Sequence, residues 1–252
     1  MQEITPVKKY VLRKQQTGAV YKIAYEKELN PAQLDAVKFD KGAVLVIAGA
    51  GSGKTKTLTY RVARLIESGV APENILLLTF TKKAADEMLN RAVMILDSRC
   101  EKVAGGTFHS FSNAILRKYS SYLDLESNFT IIDRADAEDV INHIRGQIID
   151  KGEKRFPRKG TILDIYSKAI NKNMAAQAVI EQEYRQFEHC TEKINEISRE
   201  YAIYKRKNSL LDYDDLLLYL KTLLSSNEEL RKKISNQYKY ILIDEYQDTN
   251  SL

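Results

Sequence analysis

Tryptophan is absent from the chain, cysteine occurs twice, histidine three times and proline four times in 252 residues. Cys100 and Cys190 form neither a metal-ligand spacing nor a disulfide framework, so they read as reduced thiols of an intracellular protein. Three scattered histidines suggest no zinc site. No apolar run reaches the roughly 20 residues that span a bilayer. The amino terminus lacks the apolar centre of a secretory signal. A cytoplasmic protein without a membrane partner is expected. A dominant charge is also lacking: 39 Lys and Arg against 34 Asp and Glu leave +5. That excess is compatible with a polyanionic partner but does not require one. The length admits one large domain or two modest ones.

What the chain does have is a sharp change of pattern between residues 44 and 57. The apolar run Val44-Leu45-Val46-Ile47 stops at Ala48-Gly49-Ala50-Gly51-Ser52-Gly53-Lys54-Thr55, and a helical pattern begins. This is the order of a strand, a phosphate loop and a helix. Glycines let the backbone curl until its N–H groups face one anion. The new helix adds its unpaired N–H groups and the positive end of its dipole. Ala50, Gly51, Ser52, Gly53, Lys54, Thr55 and Lys56 are the nucleotide-binding candidates. Lys54 would reach the β- and γ-phosphates, and the Thr55 hydroxyl would ligate Mg²⁺. The usual pattern has glycine at position 48, where this chain has alanine.

A second stretch completes the expected site. Tyr240-Ile241-Leu242-Ile243 reads as a strand ending in Asp244-Glu245. Ligands of open α/β sheets sit at the carboxyl ends of strands. Asp244 would hold Mg²⁺ through water, and Glu245 would polarise the attacking water. Two adjacent carboxylates beside a triphosphate need a cation to offset their charge.

The intervening chain reads as strand, helix, strand, helix, strand, the order of a parallel sheet with right-handed crossovers. Strands are expected at 44–47, 75–80 and 102–105, with helices at 55–68 and from a Thr81 cap to about Leu96. Asn30 and Pro31 open an earlier helix. Gln33 on its first turn could read an adenine edge or simply face solvent. Phe80 and Phe108 lie near strand ends beside hydroxyl groups, where they could stack bases or belong to the core. His109 could serve that rim or a local contact. From about 118 to 204 strand signals become scarce. Asp133 or Asp136 would cap a helix there, followed by a basic loop at 151–159 suited to phosphate or to solubility. Because Asp244 must return to Lys54, this stretch reads as a helical insertion. Asp212 then caps an apolar helix, and 227–236 forms a polar one. Residues 1–28 read as a mixed basic extension, packed on the body or loose, with Lys8, Lys9, Arg13 and Lys14 as possible nucleic-acid contacts.

These motifs, in this order, resemble the amino-terminal part of the UvrD/Rep/PcrA-like superfamily 1 DNA helicases. The resemblance rests on Leu29-Asn30-Pro31-Ala32-Gln33, the phosphate loop with its Ala48, Thr79-Phe80-Thr81 with Ala84-Ala85, Glu87-Met88 and Arg91, Gly106-Thr107-Phe108-His109-Ser110-Phe111, Asp212 to Leu217, and Asp244 to Asn250. It covers about 29 to 252. It implies an α/β fold: a RecA-like P-loop NTPase parallel sheet with an inserted, mostly helical subdomain. The implied division is 1–28 extension, 29–117 motor domain, 118–204 helical insertion and 205–252 motor domain again. It further implies ATP and Mg²⁺ as cofactors, 3′ to 5′ movement, and single-stranded DNA and its junctions with duplex as partners. Gln33 would bind adenine, and Gln247 would join Lys54 and Glu245 in catalysis by linking the γ-phosphate to DNA-dependent closure. Phe80, Thr81, Thr107, Phe108 and His109 would line the DNA path. Arg91 would be structural or touch phosphate.

The family's third motif, second motor domain and arginine fingers have no counterpart up to Leu252. On this reading ATP binds but turns over slowly, and the run 44–47 lies at an exposed edge able to pair between copies. The same motifs would also suit the motor of a RecB/AddA-type helicase–nuclease. A DNA- or partner-binding module with a vestigial nucleotide site is the non-enzymatic alternative.

Overall fold

A computed structural model describes residues 21–49, 51–149 and 155–249. Ala50, Lys8, Lys9, Arg13, Lys14, Asn250 and positions 151–154 of the basic loop lie outside the described residues.

The chain enters through two short helices, α1 (Tyr25–Glu28) and α2 (Pro31–Lys38). Asn30 caps α2 by accepting from the Gln33 N–H at 2.9 Å, and the Gln33 side-chain amide oxygen accepts from the Asn30 N–H at 3.1 Å. This reciprocal pair satisfies two of the donors that a helix start leaves free. Helix α3 (Lys54–Glu67) follows the phosphate loop. Gly69, at φ +92°, turns the chain out of it. The elements that follow are β1 (Ile75–Thr79), α4 (Lys82–Ile95), β2 (Ala104–Thr107) and α5 (Phe108–Tyr119).

After a two-residue strand β3 (Thr130–Ile131) the chain turns helical: α6 (Arg134–Ile148), α7 (Lys159–Asn171), α8 (Ala176–Glu183) and α9 (Thr191–Lys207). It returns through β4 (Leu210–Leu211), α10 (Tyr213–Ser226), α11 (Glu228–Gln237) and β5 (Tyr240–Ile243). Strands β2, β1 and β5 form one parallel sheet in that order. Strand β1 lies in the middle and is buried along its whole length, as a strand covered on both faces must be. Strands β3 and β4 pair in parallel as a separate ribbon on either side of the helices α6 to α9. The architecture is a RecA-like P-loop fold with an inserted helical subdomain.

The helical insertion owns a core. Ile141, Ile162, Ile165, Ile180, Ile194 and Ile197 are fully buried there. Truncating Ile194 to alanine should cost about 3 kcal/mol, the usual transfer and cavity penalty. Truncating Ile203 on the same helix, half exposed, should cost under about 0.5 kcal/mol. Urea denaturation of the two variants measures the difference.

Two expectations need correction. The run Val44–Ile47 is not a sheet strand: it joins neither edge of the sheet, and Ile47 is 90% exposed. Apolar content predicts burial but supplies no neighbour for the ladder; among the described residues no strand lies beside this run. The third strand begins at Ala104 rather than 102, because Ser98–Lys102 winds into a 3-10 turn capped by Asp97. Of the two readings of the amino-terminal extension, packed or loose, residues 21–28 take the first. The buried Tyr25 donates to Glu67 at 2.7 Å, and the Arg64 guanidinium lies 4.1 Å from the Tyr21 ring and 5.2 Å from the Tyr25 ring. These contacts strap residues 21–28 onto α3.

Candidate functional site

The sheet register gathers the motifs. Thr79 lies opposite Thr107, and Leu78 opposite Ile243. The residues that follow, Phe80, Phe108 and Asp244, therefore leave three neighbouring strands at the same carboxyl edge. A parallel sheet with ordered crossovers makes this convergence unavoidable.

The phosphate loop adopts left-handed backbone at Gly51 (φ +75°) and Gly53 (φ +86°), a region that strongly favours glycine. Ser52 braces the turn, its hydroxyl donating to the Gly49 carbonyl at 2.6 Å. Gly53 precedes α3 and offers no side-chain cap to its first turn. Those N–H groups are left available to an anion. The Lys54 ammonium donates to the Ala48 carbonyl at 3.2 Å, folded over the loop it would serve. The Lys56 ammonium donates to the Glu28 carbonyl at 2.6 Å. The Gln33 amide donates to the Ser52 carbonyl at 3.0 Å. Gly53 faces the same amide, since a Cβ there would fall 2.7 Å from Gln33 Nε2.

Across from the loop, Asp244 is nearly buried, and its N–H donates to the Leu78 carbonyl at 2.9 Å. Burial raises its carboxyl pKa above the usual range; the Glu245 N–H and the Lys54 charge oppose the rise, and the Glu245 charge adds to it. Glu245 sits at φ +51°, a left-handed conformation costing a non-glycine residue roughly 1–2 kcal/mol. Such strain persists where surrounding structure enforces it, often at working sites. Gln247 donates its amide to the Glu245 carboxylate.

Thr55 and Asp244 line one cavity of about 210 Å³, with Ala84, Met88 and the ion-paired Glu87 and Arg91 of α4 around it. Among the described residues no cluster of three or more His, Cys, Asp or Glu side chains could cage a metal. A hydroxyl and one or two carboxylates are nevertheless the donor set that suits Mg²⁺, which keeps several waters and binds substrate phosphates.

At the outer rim, Phe80 is 72% exposed, so it is not a core phenylalanine. Thr81 caps α4 by accepting from the Ala84 N–H at 3.1 Å. Thr107 caps α5 in a reciprocal pair with Ser110. Phe108 is half-buried. His109 meets the edge of Tyr213 with ring centroids 5.6 Å apart. Burial lowers its pKa, against the Asp214 charge. The sequence reading missed Tyr213 as a neighbour of His109, and it missed the link from Lys56 to Glu28; both contacts join segments with no local signal in common.

A sequence profile of the UvrD/REP helicase N-terminal domain matches residues 29–252. The ATP-dependent DNA helicase PcrA of Staphylococcus epidermidis is 35% identical over 229 residues, which is 90% of this chain and 31% of that protein. The PcrA of Staphylococcus aureus is 36% identical over 227 residues, 88% of this chain and 30% of its own length. The chain therefore spans about a third of the curated relatives it matches.

Proposed function

The chain belongs to the UvrD/REP helicase family, and from that premise we propose that residues 29–252 serve as the first motor domain of an ATP-driven, 3′ to 5′ DNA helicase. In this proposal 29–117 and 205–252 form the motor and 118–204 the helical insertion. The observation that carries it is the shared cavity: Thr55 at the start of α3 and Asp244 past the end of β5 face one space beside the phosphate loop.

In the proposed chemistry the loop N–H groups and the Lys54 ammonium bind the β- and γ-phosphate oxygens. The Thr55 hydroxyl and the Asp244 carboxylate hold Mg²⁺, which offsets the charge of the phosphates. Glu245 orients the attacking water and accepts its proton. Gln247, already bonded to Glu245, links γ-phosphate occupancy to closure on DNA. Gln33 reads the adenine edge from its place over the loop. Phe80 and Phe108 stack bases, while Thr81, Thr107 and His109 border the backbone without reading sequence. The arginines that complete phosphoryl transfer would come from a second motor domain. No described helix is long and apolar enough to cross a membrane.

The test is a titration with a fluorescent, non-hydrolysable ATP analogue and an oligo-dT strand. Saturable analogue binding that needs Mg²⁺ is expected, and Gln33→Ala should lower the preference for adenine over guanine nucleotides. Phe80→Ala should weaken oligo-dT binding by about tenfold, the value of one stacked base, and leave the nucleotide alone. Absence of any Mg²⁺-dependent analogue binding would favour a vestigial site and overturn the proposal.

A further inference from the structure

The first turn of α10 carries an arrangement that helix capping alone does not require. The Asp212 carboxylate accepts from the Asp215 N–H at 2.9 Å, and the Asp215 carboxylate accepts from the Asp212 N–H at 3.0 Å. That pair already completes a cap. Both carboxylates also receive the Lys205 ammonium of α9, at 2.5 and 2.6 Å. Lys205 is only 2% exposed. Tyr201 donates its hydroxyl to Asp212 at 2.9 Å. The ammonium lies 4.3 Å from the Tyr201 ring and 5.0 Å from the Tyr166 ring. Taking a lysine out of water for a helix cap is wasteful, because exposed caps work as well. A buried ionic cluster has its best-attested use in fixing one geometry against alternatives.

What it fixes is visible in the same turn. Asp212 and Asp215 hold α9, the Tyr213 ring meets His109 of α5, and Asp214 accepts from Asn171 of α7 at 2.8 Å. Four successive residues thus tie two helices of the insertion to the motif that follows β2.

We propose that Lys205 is a positioning residue for the DNA rim: by clamping the first turn of α10 it sets Tyr213, and through Tyr213 the orientation of His109. The insertion and the DNA path are then one mechanical unit. This rests on the DNA-binding role of His109 proposed above, but the clamp itself is testable without DNA.

The His109 imidazole signal, followed by NMR on the whole chain, reports ring orientation directly. The variant is the double change Lys205→Met with Asp215→Asn, which removes the ammonium and one carboxylate yet keeps an acceptor for the Asp212 N–H. It should keep the Mg²⁺-dependent affinity for the ATP analogue, shift or split the His109 signal, and lower oligo-dT affinity about tenfold, a typical coupling magnitude. Asp215→Asn alone, which keeps the Lys205–Asp212 pair and provides a second route should the double variant not fold, should displace the same His109 signal. An unchanged His109 signal in either folded variant would overturn the inference. If the native chain binds no oligo-dT, the DNA reading falls, and the His109 signal still decides whether the clamp exists.

Discussion

Replacing Lys54 by alanine should weaken binding of the Mg²⁺–ATP analogue by about a hundredfold, which is roughly 2.7 kcal/mol. The ammonium is the one cationic side chain that the loop folds over itself, bonded to the Ala48 carbonyl. A phosphate oxygen would replace that carbonyl with a charge-assisted partner, and such bonds are about twice as strong as neutral ones. The variant loses one hydrogen bond of the free chain, so its urea midpoint should stay close to the native one. Calorimetric or fluorescence titration reads the affinity. Wild-type affinity in a folded Lys54→Ala chain would remove the phosphate loop from the account. Glu245→Gln should behave oppositely, keeping analogue affinity because the role proposed for it begins only with the attacking water.

Replacing Lys205 by alanine should lower stability by about 3–5 kcal/mol, the cost of leaving a buried charge without its partner. Two carboxylates would then face each other in a site that admits little water, since Asp212 and Asp215 are 6% and 3% exposed. Urea denaturation measures the loss; a change under about 1 kcal/mol would mean that the cluster is hydrated. The pH dependence carries a distinct signature. Burial raises the Asp215 carboxyl to about 6 from its ordinary 3.8, with Asp212 adding to the rise and Lys205 opposing it. Tyr166, Tyr201, Asp214, Tyr219 and Arg206 complete the polar surroundings. Between those two values the folded chain holds a proton that the unfolded chain has released, so stability from this site grows as pH falls from about 6 toward 4. It is lost as pH rises through about 6. Asp215→Asn should remove that component from the pH profile of the urea midpoint.

The sequence disclosed whatever depends on local chemistry. Asn30, Thr81 and Asp212 were readable as caps, and Asp133 as one of two candidates with Asp136, because a short oxygen-bearing side chain before an amphipathic run has one economical use; Asn30, Thr81, Asp133 and Asp212 each cap a helix. The phosphate loop was readable because left-handed backbone at Gly51 and Gly53 calls for glycine. The convergence of Phe80, Phe108 and Asp244 followed from strand order. Side-chain partners distant in sequence were not readable. Lys205-Arg206-Lys207 looks like a solvated charge run. One signal could have singled out the first of them: Ile194, Ile197, Tyr201 and Lys205 fall on a single buried stripe of α9. The run at 44–47 failed in the other direction, since its composition names a strand while pairing is a property of neighbours.

That run carries a consequence for handling the chain by itself. Val-Leu-Val-Ile, uncharged and β-branched at three of four positions, is the kind of window that seeds cross-β stacking when water can reach it. Turbidity on storage would then arise beside the glycine-rich loop rather than from global unfolding. A single lysine placed at Ile47, whose side chain touches little, would act as a gatekeeper against it.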